Sequence, residues 1–335
     1  MKRILVTGGL GFIGSHTVVA LQNKGFEVVI IDNLSNSKID VLEKITEITG
    51  IKPLFHKIDL RDKAEVTSFF DTNKVAGVIH FAAFKAVGES IQKPLVYYEN
   101  NIGSLVYLLQ EMKNRNIDHF IFSSSCTVYG QADTLPISEN APIKKAASTY
   151  GNTKQIGEEI IAESCKAYNM NAIALRYFNP IGAHESIKIG ELPLGIPQNL
   201  IPFITQTAAG LRTELSVFGA DYDTPDGTAI RDYIHVVDLA KAHIAALERL
   251  LNKKNKTNFE FFNVGTGIGS SVLEVITAFE KAAGKPLNYK IVDRREGDIT
   301  AAYADTITAN KELDWKTEKS LEEALASAWK WQQQQ

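Results

Sequence analysis

The stretch Ile4-Leu5-Val6-Thr7-Gly8-Gly9-Leu10-Gly11-Phe12-Ile13-Gly14 decides the fold. Three apolar residues run into glycines spaced G-x-x-G-x-x-G, at Gly8, Gly11 and Gly14, and a helical pattern follows. The spacing is not the common G-x-G-x-x-G, but the physical argument carries over. Glycine permits the tight turn and a close backbone approach, and the helix that follows offers its N-terminus to a pyrophosphate. The next apolar run, Val28 to Ile31, ends on Asp32. A carboxylate at that point hydrogen-bonds a ribose 2′-hydroxyl and repels a 2′-phosphate, which favours NAD over NADP. Asp59, after a run over Leu54 to Ile58, reads either as a contact to the adenine edge or as a solvated helix cap before Arg61-Asp62.

The same alternation continues outward from the first turn. Val75 to Ile79, Phe120 to Phe122 and Ala172 to Leu175 read as buried parallel strands. Amphipathic stretches at about 12–24, 62–71, 92–115 and 150–168 lie between the runs. This predicts an α/β fold: a Rossmann-type doubly wound parallel sheet with a smaller α/β C-terminal domain. Proline and glycine thicken after Phe178, so a domain change is placed there, with 1–180 binding the dinucleotide and 181–335 the substrate. Stretches at about 228–251 and 257–264 look regular enough to return to the sheet. A second glycine cluster, Asn263 to Gly269, lacks an acidic residue after a following strand and reads as a structural turn.

The 335 residues, 44% of them hydrophobic, suffice for such a core, and a net charge of −3 carries no basic signature of a nucleic-acid binder. Cys126 and Cys165 are too few for a disulfide framework or a zinc cluster, so no metal is expected. No apolar run approaches a bilayer's width, and the expectation is a cytoplasmic protein without a membrane partner.

Tyr150 and Lys154 stand four residues apart, on one face of a helix. Upstream, Ser123-Ser124-Ser125 closes a strand, and the carboxyl ends of parallel strands are where ligands bind. A phenol with a pKa of about 10 is a poor base at neutral pH. A neighbouring ammonium and the positive nicotinamide ring stabilise the phenolate, so Tyr150 is expected to have a lowered pKa. Ser125 is positioned to hydrogen-bond the reacting oxygen.

With Val78-Ile79-His80-Phe81-Ala82-Ala83, Arg176-Tyr177-Phe178-Asn179-Pro180, Gly182-Ala183-His184, Arg231-Asp232-Tyr233-Ile234-His235 and Arg294-Arg295-Glu296-Gly297-Asp298, the chain resembles the extended short-chain dehydrogenase/reductases nearly end to end. Within them it is similar to the UDP-glucose 4-epimerase family. The resemblance implies Tyr150 as catalytic base, assisted by Lys154 and Ser125. It implies that Gly8, Gly11, Phe12, Ile13, Gly14, Asp32, Asn33, Asp59, Phe81, Ala82, Lys85, Asn100, Tyr150, Lys154 and Tyr177 hold NAD. It implies that Lys85, Ser125, Tyr150, Asn179, Asn199, Leu200, Phe218, Arg231, Arg295, Asp298 and Ala302 meet a UDP-hexose. Any one arginine alone also reads as a surface ion pair. His80, His184 and His235 read as packing or loop residues. The implied reaction passes through a 4-keto sugar and regenerates NAD at each turnover, in a homodimer paired through helices 92–115 and 150–168.

A sugar-nucleotide 4,6-dehydratase is the nearest rival, but Cys126-Thr127-Val128 follow Ser125 where that chemistry needs an acid. A catalytically dead nucleotide sensor is the rival from another class, and it is expected to lack Tyr150 or Lys154. Ala302, four residues past Asp298, falls where family members line the pocket for the sugar 2-substituent. Alanine leaves room there for UDP-N-acetylglucosamine and UDP-N-acetylgalactosamine. A slip of one residue instead places Tyr303 there and reverses the inference.

Overall fold

The computed structural model describes residues 2–295 and 297–335; Met1 and Glu296, the latter inside a stretch quoted above, lie outside the described residues. The first half alternates β1 (Arg3–Thr7), α1 (Phe12–Asn23), β2 (Glu27–Asp32), α2 (Val41–Thr49), β3 (Leu54–Lys57), α3 (Lys63–Thr72) and β4 (Gly77–His80). Then come α4 (Val87–Gln92), α5 (Pro94–Tyr98), α6 (Ser104–Asn114), β5 (His119–Ser123), α7 (Thr149–Tyr168), β6 (Asn171–Tyr177) and β7 (Asn179–Ile181). The remainder comprises α8 (Leu200–Ala208), β8 (Leu215–Phe218), β9 (Ile230–His235), α9 (Val236–Leu251), β10 (Phe259–Val264), β11 (Gly269–Ser271), α10 (Val272–Ala283), β12 (Tyr289–Val292), β13 (Ala301–Ala302), α11 (Ile307–Leu313) and α12 (Leu321–Gln332).

Seven strands form one sheet in the order β10-β6-β5-β4-β1-β2-β3, and every pairing is parallel. Alternate residues of a strand face opposite sides, so apolar runs without alternation are buried on both. Ile4, Val6, Val28, Ile30, Ile79, Ile121 and Ile173 pack with Val18 and Leu21 of α1 and Leu239, Ile244 and Leu247 of α9. On the opposite face, Leu5, Val29, Ile31, Val78, Phe120 and Ala172 pack with Phe69 and Phe70 of α3, Leu105 and Leu108 of α6, and Ile161 of α7. Crossovers run to opposite sides of β1, so a crevice opens between β1 and β4 at the sheet's carboxyl edge.

The smaller lobe has its own core, where α8, β8, α10 and α12 bring Ile204, Val217, Phe279 and Leu325 together. A small sheet built on β9, with β7, β11 and β13, continues from the large sheet through β7, directly after β6, and packs against α12 of the lobe through β9.

Two local expectations need correction. The helix expected over 92–115 is not continuous: α5 passes through a π-helical turn at Glu99–Gly103 into α6. That wider turn places Asn100 and Asn101 inward, both buried. Of the two returning stretches, β10 pairs with β6 in the large sheet and α9 packs on α1, whereas β9 belongs to the small sheet. Apolar patterning marks a strand but does not name its partners.

Candidate active site

The turn after β1 packs tightly on itself and on the loop after β4. A β-carbon on Gly14 would lie 2.2 Å from Gly8 O, and one on Gly8, whose φ is +67°, would lie 2.8 Å from Ala82 N. Only glycine satisfies both contacts. Gly11 caps α1 without a side-chain bond, and the first turn of α1 holds no acid, so its amides face the cleft as an anion site. Asp32 is 7% exposed. Its carboxylate accepts from Leu10 N at 3.1 Å, Leu34 N at 2.9 Å and Ser37 Oγ at 2.8 Å. These bonds fix it at the mouth of the crevice and leave an acceptor site for a ribose hydroxyl. Asp59 is gripped by Arg61 at 2.7 Å and by Asn33 Nδ2 at 3.2 Å. The Arg61 hydrogen bond holds its carboxyl low, at about 2. Glycine cradle, bare helix terminus and Asp32 together fit NAD.

A single cleft of about 2030 Å³ is lined by the glycine turn, Asp32, Asn33, Asp59, Phe81, Ala82, Lys85, Asn100, Ser125, Tyr150, Lys154 and Tyr177. The same cleft takes in Asn179, Asn199, Leu200, Phe218, Arg231, Arg295, Asp298 and Ala302. Ser148 caps α7 by accepting from Gly151 N at 3.1 Å, which sets Tyr150 in the first turn and Lys154 one turn on. Tyr150 N is held by Ser90 Oγ at 3.1 Å. Lys154 Nζ lies 5.7 Å from the centre of the Tyr150 ring and donates to Ser123 O at 2.6 Å. The Tyr177 and Ser123 hydroxyls hydrogen-bond each other beside it.

The lowered pKa expected for Tyr150 draws on the nicotinamide charge as well as on Lys154, and burial in the chain acts against it. Burial pushes its phenol above the ordinary tyrosine value, with the Ser125 hydroxyl acting in the opposite direction. Burial also lowers Lys154, to about 8, against the attraction of Glu158. Burial thus disfavours the charged form of both groups, and the chain's own partners, Ser125 for the phenol and Glu158 for the ammonium, act in the opposite direction.

On the opposite wall, Arg295 Nη2 meets Asp298 Oδ1 at 2.7 Å, and Arg231 Nη2 stands 3.9 Å from the same oxygen. The Arg295 guanidinium lies 5.7 Å from the centre of the Phe218 ring. Asn199 caps α8 without using its side chain for the cap, and Leu200 opens the helix, so a second bare N-terminus faces the cleft. Lys85 Nζ pairs with Glu191 Oε1 at 3.2 Å, and that oxygen also accepts from Asn199 Nδ2 at 2.8 Å. Ala302 pairs with Arg231 in the small sheet and lines the cleft. The Tyr303 ring instead lies against Gly269, where a β-carbon would stand 2.8 Å from its Cδ1.

The histidines serve as packing and loop hydrogen-bonders, although His80 lies near enough to Lys154 to feel its charge. His80 Nδ1 shares a proton with Thr7 Oγ1 at 2.8 Å, His235 Nδ1 accepts from Val237 N at 3.1 Å to cap α9, and His184 bonds Ser186. The second glycine cluster wraps a carboxylate of the chain itself. Asp232 accepts from Thr266 N at 2.8 Å, Gly267 N at 3.0 Å and Ala304 N at 3.2 Å. Among the described residues no group of three or more His, Cys, Asp or Glu gathers to hold a metal, and no helix is long and apolar enough to cross a membrane.

Sequence reasoning passed over Asn101, Glu158 and Arg176 as individuals. Asn101 donates to Phe84 O and to Thr153 Oγ1, each at 3.0 Å, and so ties the loop after β4 to α7. Glu158 and Arg176 pair at 2.6 Å, both buried. An arginine ending the apolar run Ala172 to Leu175 was a signal of a buried partner, because a charge there cannot stay unpaired.

A family model described as "GDP-mannose 4,6 dehydratase" matches residues 5–328. A UDP-glucose 4-epimerase of Bacillus subtilis is 50% identical, covering 98% of this chain and 96% of that protein. The UDP-glucose 4-epimerase from Bifidobacterium longum, solved in complex with NAD+ and UDP, superposes with a TM-score of 0.95 at 48% identity, covering 99% of this chain and 98% of the other. The UDP-Glc/GlcNAc 4-epimerase from Campylobacter jejuni superposes at 0.86 with 36% identity, covering 100% of both chains. The dehydratase model describes the shared scaffold, while 48–50% identity over nearly the full length and the absence of an acid after Ser125 set the chemistry apart, and the chain belongs to the UDP-glucose 4-epimerase family.

Proposed function

We propose that Tyr150, Lys154 and Ser125 carry the NAD-dependent interconversion of UDP-galactose and UDP-glucose in this cleft. The observation that carries the assignment is the convergence of Tyr150 and Lys154, on one face of α7, with the glycine turn and Asp32 around one cleft. NAD, held by the glycine turn and Asp32, would supply the hydride acceptor and donor for the sugar C4 and a positive charge to the site. Tyr150 Oη takes the proton of the 4-hydroxyl and later returns it. Ser125 Oγ hydrogen-bonds the reacting oxygen. Lys154 sets a positive charge behind the phenol and reaches the cofactor's ribose. Arg231, Arg295 and the amides opening α8 anchor the diphosphate of UDP, with the bidentate geometry that arginine offers. Held only at that end, the 4-keto sugar turns over and presents its other face.

Ala302 leaves the wall beside the sugar 2-position open, so UDP-N-acetylglucosamine and UDP-N-acetylgalactosamine enter the same cycle. The exposed apolar residues Ile91, Leu95 and Val96, with Leu95 80% exposed on α5 beside α7, support a homodimer through these helices. The enzyme is assigned to the cytoplasm. Light scattering at working concentration tests the dimer, and a monomer mass near 37.0 kDa would refute it.

The test of function is to mix the purified protein, without added NAD, with UDP-galactose and UDP-N-acetylgalactosamine and to follow the anomeric signals by NMR. Both are expected to convert to their gluco partners. Conversion of UDP-galactose alone removes the Ala302 assignment, and conversion of neither after NAD is restored overturns the catalytic assignment.

A further inference from the structure

Glu158 stands one helical turn beyond Lys154 on the buried face of α7. The two residues are 7% and 4% exposed. Glu158 is gripped by three donors: Arg176 Nε at 3.0 Å, Arg176 Nη2 at 2.6 Å and the Ser124 hydroxyl at 2.5 Å. Arg176 is fixed in turn, with Nη1 donating to Tyr129 Oη at 2.9 Å and its guanidinium 3.9 Å from the centre of the Phe261 ring. Tyr129 Oη donates to Asn263 Oδ1 at 2.7 Å. The network joins the end of β5, α7, β6 and β10, which places the carboxylate rigidly.

Several groups face the Lys154 ammonium. Ser123 O accepts from it, and the Phe122 and Tyr150 rings lie 4.9 and 5.7 Å away. His80 of β4 is close enough to feel its charge, and Tyr177 of β6 reaches the same corner through Ser123. Burial holds His80 neutral at neutral pH and disfavours the phenolates of Tyr150 and Tyr177, so any negative charge on Tyr150 is one that comes and goes with the reaction. Among these described groups, Glu158 is the one standing negative charge, whereas Tyr150 gains and loses its own with the proton it carries.

We propose that Glu158 is a positioning residue for the epimerisation: clamped by Arg176 and Ser124, it holds a fixed negative charge behind Lys154 that keeps the ammonium charged in a nearly dry corner of the cleft. This rests on the role given to Lys154 above. Burial lowers Lys154 and Glu158 is the group that raises it. Arg176 keeps its own positive charge and offsets part of this effect, but Glu158 is the charge that acts on Lys154 against burial.

The experiment is the pH profile of kcat with UDP-galactose for the wild type, Glu158→Gln and Glu158→Asp. Glutamine keeps the shape and a hydrogen bond while removing the charge. The alkaline limb of Glu158→Gln is expected to move toward acid by about one pH unit, with KM little changed, and Glu158→Asp is expected to recover part of the displacement. A limb that coincides with the wild type overturns the proposal, even if the melting temperature falls. If Glu158→Gln does not fold, Glu158→Gln/Arg176→Gln removes both charges together and carries the same test: a displaced limb supports the proposal and an unmoved one overturns it. A wild type that does not epimerise, or a Lys154→Met variant as active as the wild type, defeats the catalytic assignment instead.

Discussion

Gly265 lies hard against the carboxylate of Asp232: a β-carbon on Gly265 would stand 2.4 Å from Asp232 Oδ2. The second glycine cluster thus does for the chain's own carboxylate what the first is built to do for a phosphate. Asp232 holds the backbone of Ala304 as well, two residues beyond Ala302. Gly265→Ala is therefore expected to destabilise the protein by about 2–4 kcal/mol, because neither the buried carboxylate nor its amides have room to move. Urea unfolding measures this, and an unchanged midpoint would contradict the close packing.

Tyr150→Phe removes the proposed base and keeps the ring that packs beside Lys154. Its kcat is expected to fall by about 10²–10⁴, while the cofactor absorbance of the purified protein stays at the wild-type level. Retained turnover would assign the proton transfer elsewhere.

Ala302→Tyr tests the pocket. Ala302 packs among Val128, Tyr129 and Phe178, so a larger side chain grows toward the cleft, the open side. Turnover of UDP-N-acetylgalactosamine is expected to fall on the order of 100-fold relative to UDP-galactose. Equal losses for both substrates would sink the assignment.

Acid sensitivity follows from the buried histidines. Burial holds His16 and His80 at about 3, and His235 and His243 at about 4. All four lie below the free value of about 6.5, so on acidification the unfolded chain takes up protons first. Their contribution to stability is fully present above about pH 6.5 and is lost as the pH falls toward 4. Each neutral ring accounts for about 1.4 kcal/mol per pH unit across that window. Denaturant unfolding at pH 7.5 and 5.5 is expected to show a marked loss at the lower pH, above the range where carboxylates titrate. Equal stability at the two values would contradict it.

The large sheet was legible in the sequence because runs such as Ile4 to Val6 and Val28 to Ile31 are buried on both faces and say so in their composition. The glycine turn was legible for a similar reason, since Gly14 answers a local clash. The partners of β9 were not legible, because pairing with β7, β11 and β13 is decided by residues distant in sequence. The π turn at Glu99–Gly103 was hidden too: it holds no proline, and its one glycine, Gly103, keeps ordinary helical angles and marks no break. The opposing push of burial on Tyr150 was not legible either, because spacing does not report depth. Glu158 illustrates the same point, since a glutamate in a helix reads as solvated until the strand beneath it proves to carry an arginine near its end.

The edge strand β10 and the covering helix α9 come from residues far beyond the point where the smaller lobe begins. A fragment ending near residue 180 would thus have a raw sheet edge at β6 and a bare apolar face over Ile121 and Ile173. The chain passes back and forth between the lobes like a lacing, so neither half is a module that a gene could lend to another protein, and a protease cut in one crossing would leave the others still holding the cleft together.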